Sequence, residues 1–313
     1  MHSATVATTA TPADLFREDL IRHGHLLPTG VDGLYGRGEA FERVVAAVDA
    51  MVGRLAGDDR VEVLRFPPAM SRAGFEASGY FRNFPQLTAG VSCFCGDDAA
   101  HRRALACTPE EGGWASHMQP ADVMLTPASC YPVYPIVAAR GRLPAEGWLV
   151  DSSSYCFRRE PSLDPVRMQM FRQREQVCFG TPDRIRAFQS RWMDRAMAMF
   201  ASLHLPAATD IANDPFFGRA APLMRDGQRS QRLKFEILVP ISDPDRPNAC
   251  GSFNYHVTHF AEAYGIQGAD GEPAHTGCAG FGLERIVLAL LRHHGMDPAA
   301  WPEPVRAALW PRP

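Results

Sequence analysis

No apolar run in the 313-residue sequence approaches the roughly 18 residues needed to cross a bilayer, which removes a transmembrane helix. The Thr/Ala-rich start lacks the basic stretch and apolar core of a secretory signal. The expected compartment is therefore the cytosol. Neither sign of charge dominates: 32 Lys and Arg stand against 35 Asp and Glu, for a net charge of −3. A surface that tracks nucleic-acid phosphates normally carries a basic excess, so this balance argues against one. Long low-complexity tracts, internal repeats and an evident interdomain linker are also missing. There is no CxxC pair among the eight cysteines, at 93, 95, 107, 130, 156, 178, 250 and 278. In a chain of this length with no secretory signal, isolated cysteines are more often small buried hydrophobes than disulfide partners. Cys93 and Cys95 share one face of an expected strand, but no partner for a metal site lies near them in sequence.

What is present is a 46% hydrophobic chain with mean hydropathy −0.19 and 26 each of Gly and Pro. That supports a full core and many turns. Thr11-Pro12-Ala13-Asp14 predicts a capped helix start, running to about residue 23 and ended by Gly24. Phe41, Val44, Val45, Val48, Met51 and Val52 recur at helical spacing within 38–55. Residues 61–67 alternate as a strand, 71–79 read as a helix, and strands are expected through Cys95 and over about 103–107. Residues 119–139 read as a helix or broken helix interrupted by prolines. Strand patterns return at 148–150, 153–158 and 168–179. Thr181-Pro182-Asp183 caps a long amphipathic helix to about residue 204, whose arginines 184, 186, 191 and 195 read as a solvated face. Residues 210–232 are polar and irregular. Strands follow over 233–240 and 250–259, and a strongly apolar helix over 281–293. Helices at the ends and turn-linked strands between them predict an α+β fold with an antiparallel sheet. The expected division is an N-terminal helical segment, 1–60, packed on a catalytic domain, 61–313, with an insertion at about 205–232.

Two segments carry chemistry. In the first, Cys156-Phe157-Arg158-Arg159-Glu160 and Arg167-Met168 flank a loop, putting Arg158 and Glu160 at a hairpin mouth. Taken alone, this is also what a surface hairpin with cross-strand charge pairs looks like. In the second, Gly280-Phe281-Gly282-Leu283-Glu284-Arg285 opens the apolar helix. Alone, Glu284 would offset the helix dipole and Arg285 would point to water.

Together and in this order, the two segments closely resemble motifs two and three of the class II aminoacyl-tRNA synthetases. Phe66-Pro67-Pro68, leading to Ser78-Gly79-Tyr80 and Phe84-Pro85, resembles the proline-bearing first motif, which lies at the dimer interface in that family. The resemblance extends from about residue 60 onward and implies a class II catalytic domain in a homodimer. Within the class, the chain is similar to the zinc-dependent seryl-tRNA synthetases of methanogens. That likeness implies a Zn2+ held by Cys130, Glu175 and Cys278. Spacings of 45 and 103 residues would not reveal such a site as a pattern. Three protein ligands leave one tetrahedral position open, as a working zinc requires.

Only about 60 residues with two modest helices precede the first motif, and no basic cluster stands there. This arrangement resembles the bacterial amino acid:[carrier protein] ligases. The resemblance implies ATP-dependent activation of a small amino acid, glycine before alanine, and transfer to the phosphopantetheine thiol of a carrier protein instead of tRNA. It assigns Arg158 to the α-phosphate and carboxylate, Glu160 to the adenine amino group, and Arg285 to stacking on adenine. Arg167 and Met168 would lie over the nucleotide. Lys234 would serve the amino acid or phosphates, and Ala249, Cys250, Gly251 and Ser252 the ribose, Mg2+ or phosphates; a buried strand with a snorkelling lysine is the plainer account of both segments. His256 and His259 stay outside the core set. Carrier proteins are acidic, so Phe216, Arg219, Arg225 and Arg229 in the insertion form the expected docking surface. A seryl-tRNA synthetase with a reduced or separate tRNA domain, and a non-catalytic regulatory paralogue, are the alternatives.

Overall fold

A computed structural model describes residues 11–57, 59–215, 217 and 221–311. Helix α1 (Pro12–Arg22) begins where the cap signal predicts: Thr11 Oγ1 accepts from the Asp14 backbone N–H, and the Asp14 carboxylate accepts from the Thr11 backbone N–H, closing a capping box. A short ribbon, β1 (Leu26–Pro28) and β2 (Tyr35–Arg37), leads to α2 (Glu39–Arg54), whose apolar stripe is buried. Next come β3 (Glu62–Arg65), β4 (Ala69–Ser71), α3 (Arg72–Ala77), α4 (Tyr80–Asn83), β5 (Gly90–Cys93), α5 (Asp98–Ala106), β6 (Gln119–Leu125) and α6 (Val133–Ala138). The long hairpin β7 (Trp148–Phe157) and β8 (Met170–Gly180) precedes α7 (Pro182–Ser202). The remainder is β9 (Ala208–Ile211), α8 (Ala221–Ser230), β10 (Lys234–Val239), β11 (Asn248–Val257), α9 (His259–Tyr264), β12 (His275–Gly282), α10 (Leu283–His294) and α11 (Glu303–Leu309).

Among the described residues, a seven-stranded sheet runs in the order β3-β7-β8-β12-β11-β10-β9. Its pairs are antiparallel except β3 with β7, which is parallel. The fold is the expected α+β. Helices α2, α7 and α10 cover one face: Val44, Val48, Trp192, Phe281, Ile286 and Leu290 belong to one buried core. A second cluster on the opposite face joins Cys130, Tyr134, Val177, Phe179, Phe260 and Cys278. A separate three-stranded sheet, β4-β6-β5, stands beside them. No described helix is long and apolar enough to cross a membrane.

Several expected elements differ. Residues 103–107, expected as a strand, lie mostly in α5, where Asp97 caps the helix by accepting from the Ala100 backbone N–H. The expected helix over 119–139 begins as strand β6, because Met124 and Leu125 pair with β4, and only 133–138 are helical. Gly280-Phe281-Gly282, expected at the mouth of the last helix, completes β12 instead, and α10 starts at Leu283. The expected insertion opens as β9, an edge strand paired with β10.

Candidate active site

Strands β8, β10, β11 and β12 form the floor of a cleft of about 570 Å³. Cross-strand register decides what the floor displays. Glu175 on β8 lies opposite Gly280 on β12, while Cys278 on β12 lies opposite Val177 on one side and Asn254 on the other. A Cβ at Gly280 would fall 2.9 Å from Glu175 Oε1, so only glycine leaves room for that carboxylate. Cys130 comes from the turn before α6. Its backbone N–H donates to Glu175 Oε2 at 2.6 Å, and Ser129 Oγ donates to the same oxygen at 2.9 Å.

The ligand atoms of Cys130, Glu175 and Cys278 lie within 4.8 Å of one another, and all three residues are buried. The Cys278 thiol beside it, burial, and the Glu175 carboxylate together push the Cys130 thiol well above its usual range. Two thiolates and a carboxylate are unfavourable as bare neighbouring anions, and a divalent cation is the partner that lets all three ionise together. A Cys2Glu set matches zinc in softness and in leaving one tetrahedral position open.

Arg158, just after β7, lines the same cleft. Its Nε donates to the Pro127 carbonyl at 3.0 Å, and its guanidinium lies 5.4 Å from the Phe171 ring centroid. Burial opposes its charge, but Tyr80, Cys156, Glu160 and Glu175 around it hold the net shift upward. Arg285 does not point to water. Its Nε donates to the Val166 carbonyl at 3.0 Å and its Nη1 to the Ala249 carbonyl at 2.9 Å, which fixes the guanidinium plane across the cleft. Burial lowers its pKa. Glu284 is not a dipole-offsetting surface acid either. It is buried, and accepts from the Arg172 backbone N–H and Nε.

The cleft brings together Cys130, Arg158, Glu160, Met168, Glu175, Lys234, Ala249, Cys250, Gly251, Ser252, Cys278 and Arg285. Arg167 is not among its lining residues. It stands exposed at the rim with Nη1 3.7 Å from Glu160 Oε1, because the turn before β8 carries its side chain outward. Cys250 reaches the cleft, yet its side chain belongs to the core and burial pushes its thiol up to about 12, so it supplies shape and no charge. Lys234 pairs with Asp214 and lies 3.1 Å from Glu236. Burial disfavours its charge, but these two carboxylates win and raise its pKa. Helix α8 contributes Gly227 and Gln228 to the cleft wall. Arg225 on α8 is half-buried and Arg229 is exposed, both outside the cleft, while Phe216 and Arg219 lie outside the described residues.

Sequence reasoning missed Asp214, Asn254 and the full part played by His256. Asp214 carries no pattern signal. Its backbone N–H donates to Gln228 Oε1 at 2.8 Å, and Gln228 Nε2 donates back to its carboxylate at 2.9 Å. Asn254 and His256 do have a signal, since both share with Ser252 the cleft-facing side of an alternating strand.

A family model for the tRNA synthetase class II core domain (G, H, P, S and T) matches residues 116–294. Two proteins of Bradyrhizobium diazoefficiens, amino acid–[acyl-carrier-protein] ligases 1 and 2, are 47% and 46% identical to the chain over 289 and 280 residues. The matches cover 91% and 90% of the chain and 87% and 84% of those proteins. The type-2 serine–tRNA ligase of Methanopyrus kandleri is 29% identical over 195 residues, 58% of the chain and 37% of that relative. Among solved structures, M. kandleri SerRS in complex with A. aeolicus tRNASec superposes with a TM-score of 0.80 at 21% identity, covering 94% of the chain and 60% of that protein. That likeness is one of fold. The chain belongs to the amino acid–[acyl-carrier-protein] ligase family, a ligase built on the class II tRNA synthetase core.

Proposed function

We propose that the protein activates a small amino acid with ATP and transfers it to the phosphopantetheine thiol of a carrier protein, with glycine the preferred substrate and alanine the second. The observation that carries this reading is the convergence of Arg158 and the Cys130–Glu175–Cys278 cluster in one cleft of a chain from this ligase family. In the first half-reaction the amino acid carboxylate attacks the α-phosphorus of ATP, and pyrophosphate leaves. A carboxylate is already nucleophilic, so the site must align the reactants and offset charge on the phosphorus oxygens. Arg158 does this at the α-phosphate, with Mg2+ accompanying the nucleotide. Arg285, its edge occupied by two carbonyls, offers a guanidinium face to adenine. Glu160 accepts from the adenine amino group, Met168 packs on the nucleotide, and Arg167 closes over it from the rim. Lys234 serves the amino acid or phosphates, and the strand from Ala249 to Ser252 meets ribose, Mg2+ or phosphate.

Cys130, Glu175 and Cys278 would hold a Zn2+, which supplies an open Lewis-acid position for the unprotonated α-amino group. In the second half-reaction a thiolate attacks the adenylate carbonyl, the bond to phosphate oxygen breaks, and AMP leaves. The product is a thioester. The acidic carrier docks on α8, where Arg225 and Arg229 meet its charge. The enzyme acts as a homodimer; β3 lies at an edge of the main sheet with Val63 60% exposed, as an uncovered interface strand would.

The test is ATP–pyrophosphate exchange with glycine, alanine and serine, followed by transfer to a holo-carrier, its apo form and tRNA. Exchange led by glycine and loading of the holo-carrier alone support the reading. Serine-led exchange with tRNA charging would replace it by a seryl-tRNA synthetase, the activity named for the 29% identical relative.

A further inference from the structure

His256 follows Asn254 on the cleft face of β11, at a place where the strand departs from regular pairing. Tyr255 pairs with Gly277, but Val257 pairs with Thr276, so one extra residue, His256, is left in a β-bulge. Val257 closes the bulge with φ of 54°, a left-handed conformation that a β-branched residue adopts only under local strain. At this bulge the His256 ring faces the ligand cluster. Nε2 comes to 3.6 Å from Cys278 Sγ, while Nδ1 faces Thr276 Oγ1 at 3.2 Å and Tyr134 Oη at 3.5 Å. Phe260 meets the ring edge to face at 4.8 Å. The side-chain amide of Asn254 also donates to Cys278 Sγ, at 3.4 Å.

We propose that His256 is a positioning residue for the metal centre, acting through Cys278. A metal-bound thiolate only accepts hydrogen bonds, whereas the hydroxyls of Thr276 and Tyr134 can donate to Nδ1. The proton therefore sits on Nε2 and points at the sulfur. With Asn254, this gives the Cys278 thiolate two donors that fix its direction and draw charge from it. A less electron-rich sulfur leaves the cation a stronger Lewis acid toward the ligand in its open position. The inference rests on the zinc reading above.

The experiment compares full-length wild type with His256→Phe, which keeps an aromatic ring beside Phe260 but has no donor, and His256→Gln, whose amide can reach the Nε2 position. Zinc affinity is measured by competition with a chromophoric chelator, and the Co2+-substituted proteins are examined by absorption spectroscopy. In His256→Phe, zinc binding should weaken by about 10–100-fold, and the thiolate-to-Co2+ charge-transfer band should move to lower energy. His256→Gln should restore most of both. Thr276→Val, which removes one Nδ1 partner, should shift both readouts in the same direction by less, and it serves if the phenylalanine variant does not fold. Unchanged affinity and spectrum in folded His256→Phe, or in Thr276→Val where the phenylalanine variant does not fold, overturn the inference alone. Wild type that binds neither Zn2+ nor Co2+ overturns the zinc reading with it.

Discussion

Arg172 donates to Glu284 twice, from its backbone N–H at 2.7 Å and from Nε at 2.8 Å, and so ties β8, which follows the first chemistry-bearing loop, to the second chemistry-bearing segment at the start of α10. The other end of the guanidinium makes a bidentate pair with Glu42 on α2, at 2.6 and 2.7 Å. One arginine thus joins β8, α10 and α2, and Glu284 holds the start of the helix from which Arg285 projects.

Removing the charge of Glu284 leaves Arg172 without its buried partner. Glu284→Gln should lose about 3 kcal/mol or more of stability, read as a lower urea midpoint with unchanged slope. A variant as stable as wild type would mean that the pair contributes orientation and not stability.

Glu175→Ala should remove zinc and adenylation together, checked by metal analysis of the purified protein alongside exchange. Full activity in that variant would refute the metal assignment.

Arg158→Ala should slow amino-acid-dependent exchange by about 100–1000-fold, the usual cost of losing one preorganised donor to a reacting phosphoryl or acyl oxygen. Arg285→Lys should instead raise KM for ATP, by about 3–30-fold, because an ammonium cannot reproduce the planar stacking face. If ATP KM is unmoved while kcat falls, Arg285 acts on the reacting phosphate.

Acid stability offers a check on the cleft wall. Burial acts to raise the Asp214 pKa, but the Lys234 ammonium and the hydrogen bonds from Lys234 and Gln228 outweigh it, so the folded value lies below the ordinary 3.8. A depressed carboxyl contributes stability that is complete above its unfolded pKa and is lost as the pH falls through the folded one. Asp214→Asn should therefore narrow its stability gap to wild type as pH is lowered below about 3.8. A gap that stays constant between pH 5 and pH 2 would remove Asp214 from the acid response.

Charge reversal of Arg225 and Arg229 on α8 should lower the ratio of carrier loading to ATP–pyrophosphate exchange, most strongly at low ionic strength. A ratio equal to wild type at every salt concentration would move carrier docking elsewhere.

Local signals determined much of this protein. The Thr11 and Thr181 caps, the apolar stripe of α2 and the alternation of β8 depend on neighbours a few residues away, and each element lies where its pattern put it. The same logic failed over 119–125, where proline-rich flanks left helix and strand nearly balanced and pairing with β4 and β5 decided, and over 103–107, which continue a helix whose cap, Asp97, stands well upstream. Residue types at the chemistry-bearing positions were legible through family likeness, but what they do to one another was not. The meeting of Cys130, Glu175 and Cys278 depends on antiparallel register across β8 and β12, where a slip of one residue would turn Glu175 to the opposite face. Whether Arg285 faces solvent or cleft depended on carbonyls 119 and 36 residues away in the chain. The alternation of β11 put His256 on the cleft face, but its meeting with Cys278 depended on pairing with β12, at a bulge that no local preference of Val257 would favour. Short-range backbone and hydrophobic preferences are written into neighbouring residues; contacts between distant strands exist only once the sheet has chosen its register, and the cleft is built from those.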